Sequence, residues 1–521
     1  MAHWPADTDL PLTDESVGTV LRRQAATVPD RAAIIECLDN GTEGTPCPTS
    51  YAELLDAATS VARSLLEVAD PGERIAVWAP NSTEWVVVEY AAALAGVTLV
   101  PVNPALTDLE AADLIARSGC VAVFTVNEFR GQSLLDRAAM LDTPRVRSVF
   151  DLHTWRRRIG PVVDGELPNV HPQSCLLVQY TSGTTGVPKG AVLTHHAAMN
   201  VGVLGAHSLA LGDAPVWCNP MPLHHVGGSV CVLLTVLAQA GTVVLMPKFD
   251  AGQILTVLER TGATVLGAVP TMLLALLDHP SFGEHDLGAL KVVQTGGSTV
   301  APALIRRAEA ALEVRIVNAY GQSEAPSAAQ TRFDDPDDVK AVTIGRPGLH
   351  REARIVRPGT NETIGFGMPG ELVLRSPLTM TAYLDDPEQT AAAFEAGGWL
   401  RTGDLCSMAP DGVLTICGRI RDVIIRGGEN VYPSEVENVL LAHPAISDVV
   451  VLGVPDEHWG EQVGAAVRFR RGRRPTWGEL ESFARDALAG FKVPRMWRSV
   501  DDFPTTASGK IQRFRLTDAF Q

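Results

Sequence analysis

Tyr180-Thr181-Ser182-Gly183-Thr184-Thr185-Gly186-Val187-Pro188-Lys189-Gly190 follows an apolar strand pattern at Cys175–Gln179. Small hydroxyl residues and glycines let backbone N–H and side-chain O–H groups surround phosphate oxygens. Lys189 adds a point charge for the β/γ end of a triphosphate. The string is not a Walker A loop: counting from Gly183, the second glycine of that pattern falls on Pro188. A polar surface loop competes for Thr181-Ser182-Gly183-Thr184 alone, but much less for the whole string.

Outward from this loop the chain alternates helical and strand patterns. Tyr51–Glu67 has helical apolar spacing, Arg74–Trp78 reads as a buried strand, Trp85–Leu94 as helix, and Val97–Val102 and Val121–Val126 as strands. This alternation predicts an α/β fold, with layered helices and mostly parallel sheets in a large N-terminal domain. After about Gly418 the order becomes strand, glycine turn, helix (Ser434–Leu441), two strands (Asp448–Val454, Gly464–Phe469) and helix (Trp477–Ala489). That order predicts a small α+β C-terminal domain. The expected division is 1–420 and 421–521.

The 521 residues are 46% hydrophobic, enough for sizeable cores, and carry a net charge of −17. Such an acidic balance argues against a nucleic-acid partner. The eight cysteines form no CxxC pair, which excludes a common zinc signature and fits reduced thiols in a cytoplasmic protein. The N-terminus lacks a signal-peptide pattern. Val226–Met246 is uncharged and long enough to raise the question of a membrane span, but Gln239, Ala240 and Gly241 interrupt it. It is expected to be a buried helix, turn and strand. Gly365–Gly370 fits GxGxxG yet precedes a strand, so it reads as a turn and not as a dinucleotide site. The basic run Arg470, Arg471, Arg473 and Arg474 reads as a solvated loop, with a CoA phosphate as the alternative.

Six segments occur in order: TSGTTGVPKG, PLHHVGG, YGQSE, TGD, GRIRDVIIRGGENVYPSEVE and TTASGK. Together they resemble the adenylate-forming superfamily of acyl-CoA synthetases, peptide-synthetase adenylation domains and beetle luciferases. The wording of the fifth is most similar to medium-chain and related acyl-CoA synthetases. The resemblance implies that ATP converts a carboxylate into an acyl-adenylate, and that coenzyme A then takes the acyl group, releasing AMP and pyrophosphate. Two anions must meet in the first step, so the site must concentrate positive charge and oriented donors.

By the same resemblance, Lys510 touches the carboxylate and α-phosphate during adenylation. Thr181, Ser182, Gly183, Thr184, Thr185 and Lys189 cradle phosphates, with Thr181 and Glu324 on the Mg2+ side. Tyr320 stacks on adenine beside Gly296 and Gly297, and Gly321 and Ser323 (often Thr in the family) complete that wall. Asp404 and Arg419 hold the ribose. Arg421 stands at a hinge that is usually Asp or Lys, about which the small domain turns between half-reactions. Gly428 lines the pantetheine tunnel. His225 gates the acyl carboxylate, while His224 stands where an aromatic is more usual. For any one of these the bland alternatives are a surface ion pair, a solvated lysine or a core histidine.

The acid pocket implied by the resemblance comprises His225, Val226, Gly228, Gly297, Gly321 and Ala325. Gly321 replaces the Trp of acetate-specific relatives. No cation or acid is evident among these segments, so an apolar medium-chain, branched or aryl tail is expected. The other reading of the acceptor is a phosphopantetheine thiol on a separate carrier protein. The chain stops at Gln521, so a fused carrier is not expected. Monomer and homodimer both remain open. A non-catalytic nucleotide-binding protein is disfavoured because Lys189, Glu324, Asp404 and Lys510 are all present.

Overall fold

The computed structural model describes residues 1–37, 47–155, 165–181, 188–296, 302–504, 511–517 and 520. The chain forms two compact units: Trp4–Ala353 with Arg375–Leu400, and Met1–His3 with Arg354–Leu374 and Arg401–Gln521.

The larger unit is built on two sheets. In one, the order is Ser148–Asp151, Ala122–Thr125, Arg74–Trp78, Thr98–Val102, Cys175–Thr181, Lys189–Thr194. Its first five strands are parallel, and the last turns back antiparallel. The other sheet has nine strands. A parallel centre runs from Ala32–Glu36 through Thr242–Leu245, Val216–Asn219, Val265–Gly267 and Val292–Gly296 to Arg315–Gln322. Antiparallel strands close both edges. The expected mostly parallel α/β architecture is therefore present. Central strands such as Ala122–Thr125 and Thr242–Leu245 are buried at every position, as a sheet covered on both faces requires.

Helix Thr83–Ala95 is buried from Trp85 through Ala95, so it lies inside the unit and not on its rim. Ser50 and Thr107 open their helices with capping boxes to Glu53 and Glu110. The uncharged stretch resolves into a π-helical turn at Gly227–Val232, helix Leu233–Ala238, a turn and the buried strand Thr242–Leu245. Among the described residues, no helix is long and apolar enough to cross a membrane.

In the smaller unit, strands Gly370–Arg375, Trp399–Met408 and Leu414–Arg419 form part of one sheet. A second sheet orders Glu429–Val431, Ile424–Arg426, Gly460–Phe469 and Ile446–Asp456, and Met496–Ser499 also pairs with Gly460–Phe469. Helices Pro433–Leu441 and Trp477–Arg485 pack Val436, Leu440, Leu480 and Ala484 against Val449, Val451, Val463 and Val467. The α+β expectation holds here. Arg470, Arg471, Arg473 and Arg474 are exposed.

Candidate active site

Thr181 ends one strand and Lys189 begins the next, and the two are paired in register across the hairpin. Ser182, Gly183, Thr184 and Thr185, together with Gly297 and Lys510, lie outside the described residues. Glu324 sits with Ser323 at the tip of a second hairpin, where Gln322 pairs with Ala325. Both tip residues are buried.

A third segment joins these two hairpins. Thr381 N donates to Val192 O (3.0 Å), Val192 N to Ala382 O (3.0 Å), Leu384 N to Gly190 O (2.7 Å) and Met380 N to Glu324 O (2.8 Å). These backbone bonds fix Tyr383. Its hydroxyl donates to Glu324 Oε1 at 2.8 Å, and the Lys189 ammonium lies 5.2 Å from its ring centroid. Burial first, then the Glu324 charge, pushes the Tyr383 phenol well above its ordinary pKa, so it remains a donor. Lys189 Nζ also donates to Gln389 Oε1 at 2.5 Å. Tyr383 therefore bridges Lys189 and Glu324.

Tyr383 and Gln389 were not anticipated. One local signal was available: Asp386 and Pro387 open helix Pro387–Ala393, with Asp386 accepting from Gln389 N. That pattern locates the helix, but nothing local reveals that its first turn meets a lysine two hundred residues away.

Close backbone approaches shape the neighbouring wall. A Cβ on Gly296 would lie 2.4 Å from Ala319 O, and one on Gly321 2.6 Å from Ser327 N. Tyr320 is buried on the strand between them. Gly228 is tighter still, with Pro222 O 2.3 Å from a built Cβ. His225 stands at the head of the π-helical turn, a geometry often found at functional sites. Its Nδ1 accepts from Gly227 N at 3.2 Å, and its carbonyl accepts from Gly228 N and Ser229 N. Val226 and Ala325 are buried beside these glycines in sequence. Gln179 Nε2 donates to His224 O at 3.1 Å, tying this turn to the strand that leads into the phosphate loop. Burial, followed by the neighbouring His225, lowers the His224 pKa to about 4.

In the smaller unit, Asp404 and Arg419 face each other on paired strands, with Arg419 Nε 3.2 Å from Asp404 Oδ1. Asp404 is buried, which sets it apart from an ordinary surface ion pair. Arg421 lies in a short 3-10 turn, with Nε 3.4 Å from Asp422 Oδ1. Gly427 and Gly428 have φ of +60° and +88° and connect strands Ile424–Arg426 and Glu429–Val431 as a two-residue hairpin turn. Nothing lies within 4 Å of a Cβ at Gly428. Its left-handed backbone alone accounts for glycine, and the space beyond it is compatible with a passage.

Hard oxygen donors at Thr181 and Glu324, with phosphate oxygens from a nucleotide, suit Mg2+, which is usually held by one or two carboxylates plus substrate phosphates. Among the described residues, no cluster of three His, Cys, Asp or Glu side chains could hold a metal alone.

The AMP-binding enzyme family matches residues 21–384, and the AMP-binding enzyme C-terminal domain matches 435–510. The mitochondrial medium-chain acyl-CoA ligase ACSF2 of Mus musculus is 31% identical over 560 residues, covering 100% of this chain and 90% of that protein. The amide bond synthetase McbA of Marinactinospora thermotolerans is 31% identical with a TM-score of 0.84, covering 97% of this chain and all of the other. The o-succinylbenzoate CoA synthetase MenE of Bacillus subtilis, in complex with its acyl-adenylate, is 27% identical with a TM-score of 0.86, covering 97% and 99%. With residues 21–384, more than half of its length, matched by the family model, this chain belongs to the AMP-binding enzyme family.

Proposed function

We propose that the protein is an AMP-forming acyl-CoA synthetase: it converts a carboxylic acid and ATP into an acyl-adenylate and transfers the acyl group to coenzyme A. The grouping of Lys189, Tyr383 and Glu324 beside the phosphate loop carries this reading. A cation and an oriented carboxylate gathered around one tyrosine support binding of a triphosphate and its counter-ion. The similarity to acyl-CoA ligases over the full chain supports the thiol acceptor.

Each residue has a defined task in this reading. Lys189 leaves Gln389 to meet the β/γ-phosphate oxygens. Tyr383 holds one Glu324 oxygen, leaving the other for the metal side. Mg2+, held by Thr181, Glu324 and phosphate oxygens, would neutralise charge on the departing pyrophosphate. The buried Asp404 accepts from ribose hydroxyls, with Arg419 setting its orientation. His225, fixed through Nδ1, borders the acid's carboxylate. Lys510 brings its ammonium to the carboxylate and α-phosphate oxygens as they combine. Residues 421–521 then turn about Arg421, and the thiol enters past Gly428. A cytoplasmic setting is supported by the free thiols of Cys37, Cys120, Cys175, Cys218, Cys231, Cys406 and Cys417.

A pyrophosphate-release screen over acids of graded length, branching and aromaticity tests the first half-reaction. CoA and a phosphopantetheinylated carrier protein, supplied in parallel, separate the two thiol acceptors. Acid-dependent AMP formation with thioester on CoA is expected. No AMP with any acid would refute the proposal.

A further inference from the structure

A buried cation lies behind the acid wall. Arg351 is 5% exposed, and its Nη1 and Nη2 donate to Leu349 O (2.9 Å) and Pro326 O (3.2 Å). Among the described residues it has no carboxylate partner. A guanidinium has five N–H donors, so two carbonyls leave it undersupplied with acceptors and its charge uncompensated. Burial lowers its pKa only to about 10, so it remains charged at neutral pH.

The surroundings of Arg351 belong to the candidate acid pocket. Pro326 follows Ala325, and a Cβ on Gly321 would strike the backbone of Ser327. Cys231, whose thiol is near enough to interact electrostatically with Arg351, accepts from the Ser327 backbone. It lies four residues past Gly227, about one turn deeper on the same helical face. Its neighbours Val230 and Val232 are 0% and 3% exposed, yet Cys231 and Ser327 keep intermediate exposure. His225 stands six residues before Cys231, just ahead of the π-helical turn that holds Cys231.

We propose that Arg351, with Cys231 and Ser327, forms the far end of the acid pocket and selects an acid with a second carboxylate there: a medium-length dicarboxylic acid, apolar along Val226 and Gly228. This rests on the acyl-pocket reading above and amends the expectation of a wall without a cation. A monoacid of equal length would leave the guanidinium donors unsatisfied. A second carboxylate can accept two of them at once.

The test compares α,ω-diacids with monoacids of equal chain length in pyrophosphate release, using the full-length protein, Arg351→Met and Arg351→Lys, with each variant's melting temperature measured. The unaltered protein should favour the diacid about tenfold in kcat/KM, chiefly through KM. Arg351→Met should reverse that ratio, and Arg351→Lys should restore part of it. Should Arg351→Met fail to fold, the ratio in the unaltered protein and in Arg351→Lys still decides. Equal use of both acid classes by the unaltered protein, or a ratio unmoved by Arg351→Met, overturns the subsite and leaves the ligase reading standing. Absence of pyrophosphate release with every acid of both classes overturns the subsite and the ligase reading together.

Discussion

The proposed phosphate side and the proposed acid side of the larger unit are built by different means. On the phosphate side, side-chain charges are clasped by side-chain partners: Lys189 by Gln389 and the Tyr383 ring, Glu324 by the Tyr383 hydroxyl. On the acid side the wall is backbone pressed on backbone, with glycines at 228 and 321 where a methyl group would meet a carbonyl or amide. Polar clasps can be altered one group at a time without disturbing the packing. Close-packed backbone cannot, because interiors carry few voids. Substitutions on the phosphate side should therefore change nucleotide use at nearly constant stability, whereas those on the acid side should change stability and acid choice together.

The largest effect expected is that of Lys510→Ala, motivated by the family position of this lysine. Acid-dependent ATP–pyrophosphate exchange should fall by about 10²–10³, with thioester formation from supplied acyl-AMP largely spared. Equal loss of both half-reactions would contradict the alternation of the small domain, and a drop in melting temperature would blur the contrast drawn above.

Acidification should strike the framework beneath both sides. His195 is fully buried, its Nε2 lacks a partner among the described residues, and burial lowers its pKa to about 4. A depressed histidine pKa means that the unfolded chain binds the proton first. Stability is therefore full above about pH 6.5 and lost as pH falls from there toward 4, by roughly 3 kcal/mol for this one group. Denaturant titrations across that window check it, and a flat profile rejects it.

Gly228→Ala should cost about 1–3 kcal/mol, because the new methyl group meets Pro222 O and the π-helical turn must shift. Melting temperature and the acid profile should both change. A variant as stable as the parent, with altered ATP affinity instead, would break the comparison.

Tyr383→Phe is the mildest change and sharpens the comparison most. Removing one hydrogen bond to a carboxylate should raise KM for ATP about tenfold at limiting Mg2+, with folding retained. In the Glu324→Gln background the same change should do little, since Tyr383 acts through Glu324. ATP-dependent thermal stabilisation gives a readout free of turnover, and additive effects in the double variant would count against that coupling.

Much of this was legible in the sequence. Period-two and period-3.6 patterns marked the strands and helices because burial on one or both faces dictates them locally. Lys189 and Glu324 stood out because the segments holding them are short and nearly continuous in sequence. The interrupted apolar stretch Val226–Met246 read correctly as buried helix, turn and strand, although the π-helical register of Gly227–Val232 did not show. That register depends on tertiary contacts, which override local preference.

Local patterns of residue chemistry and spacing determined the layered fold, and the resemblance of six short motifs pointed to the class of reaction, since each rests on residues close in the chain. Only the tertiary structure decided that Tyr383 joins Lys189 to Glu324, and that Arg351 stands buried beside Cys231 and Pro326. These partners are tens to hundreds of residues apart, and which of them meet is settled by how sheets and helices pack, a choice that no local pattern encodes.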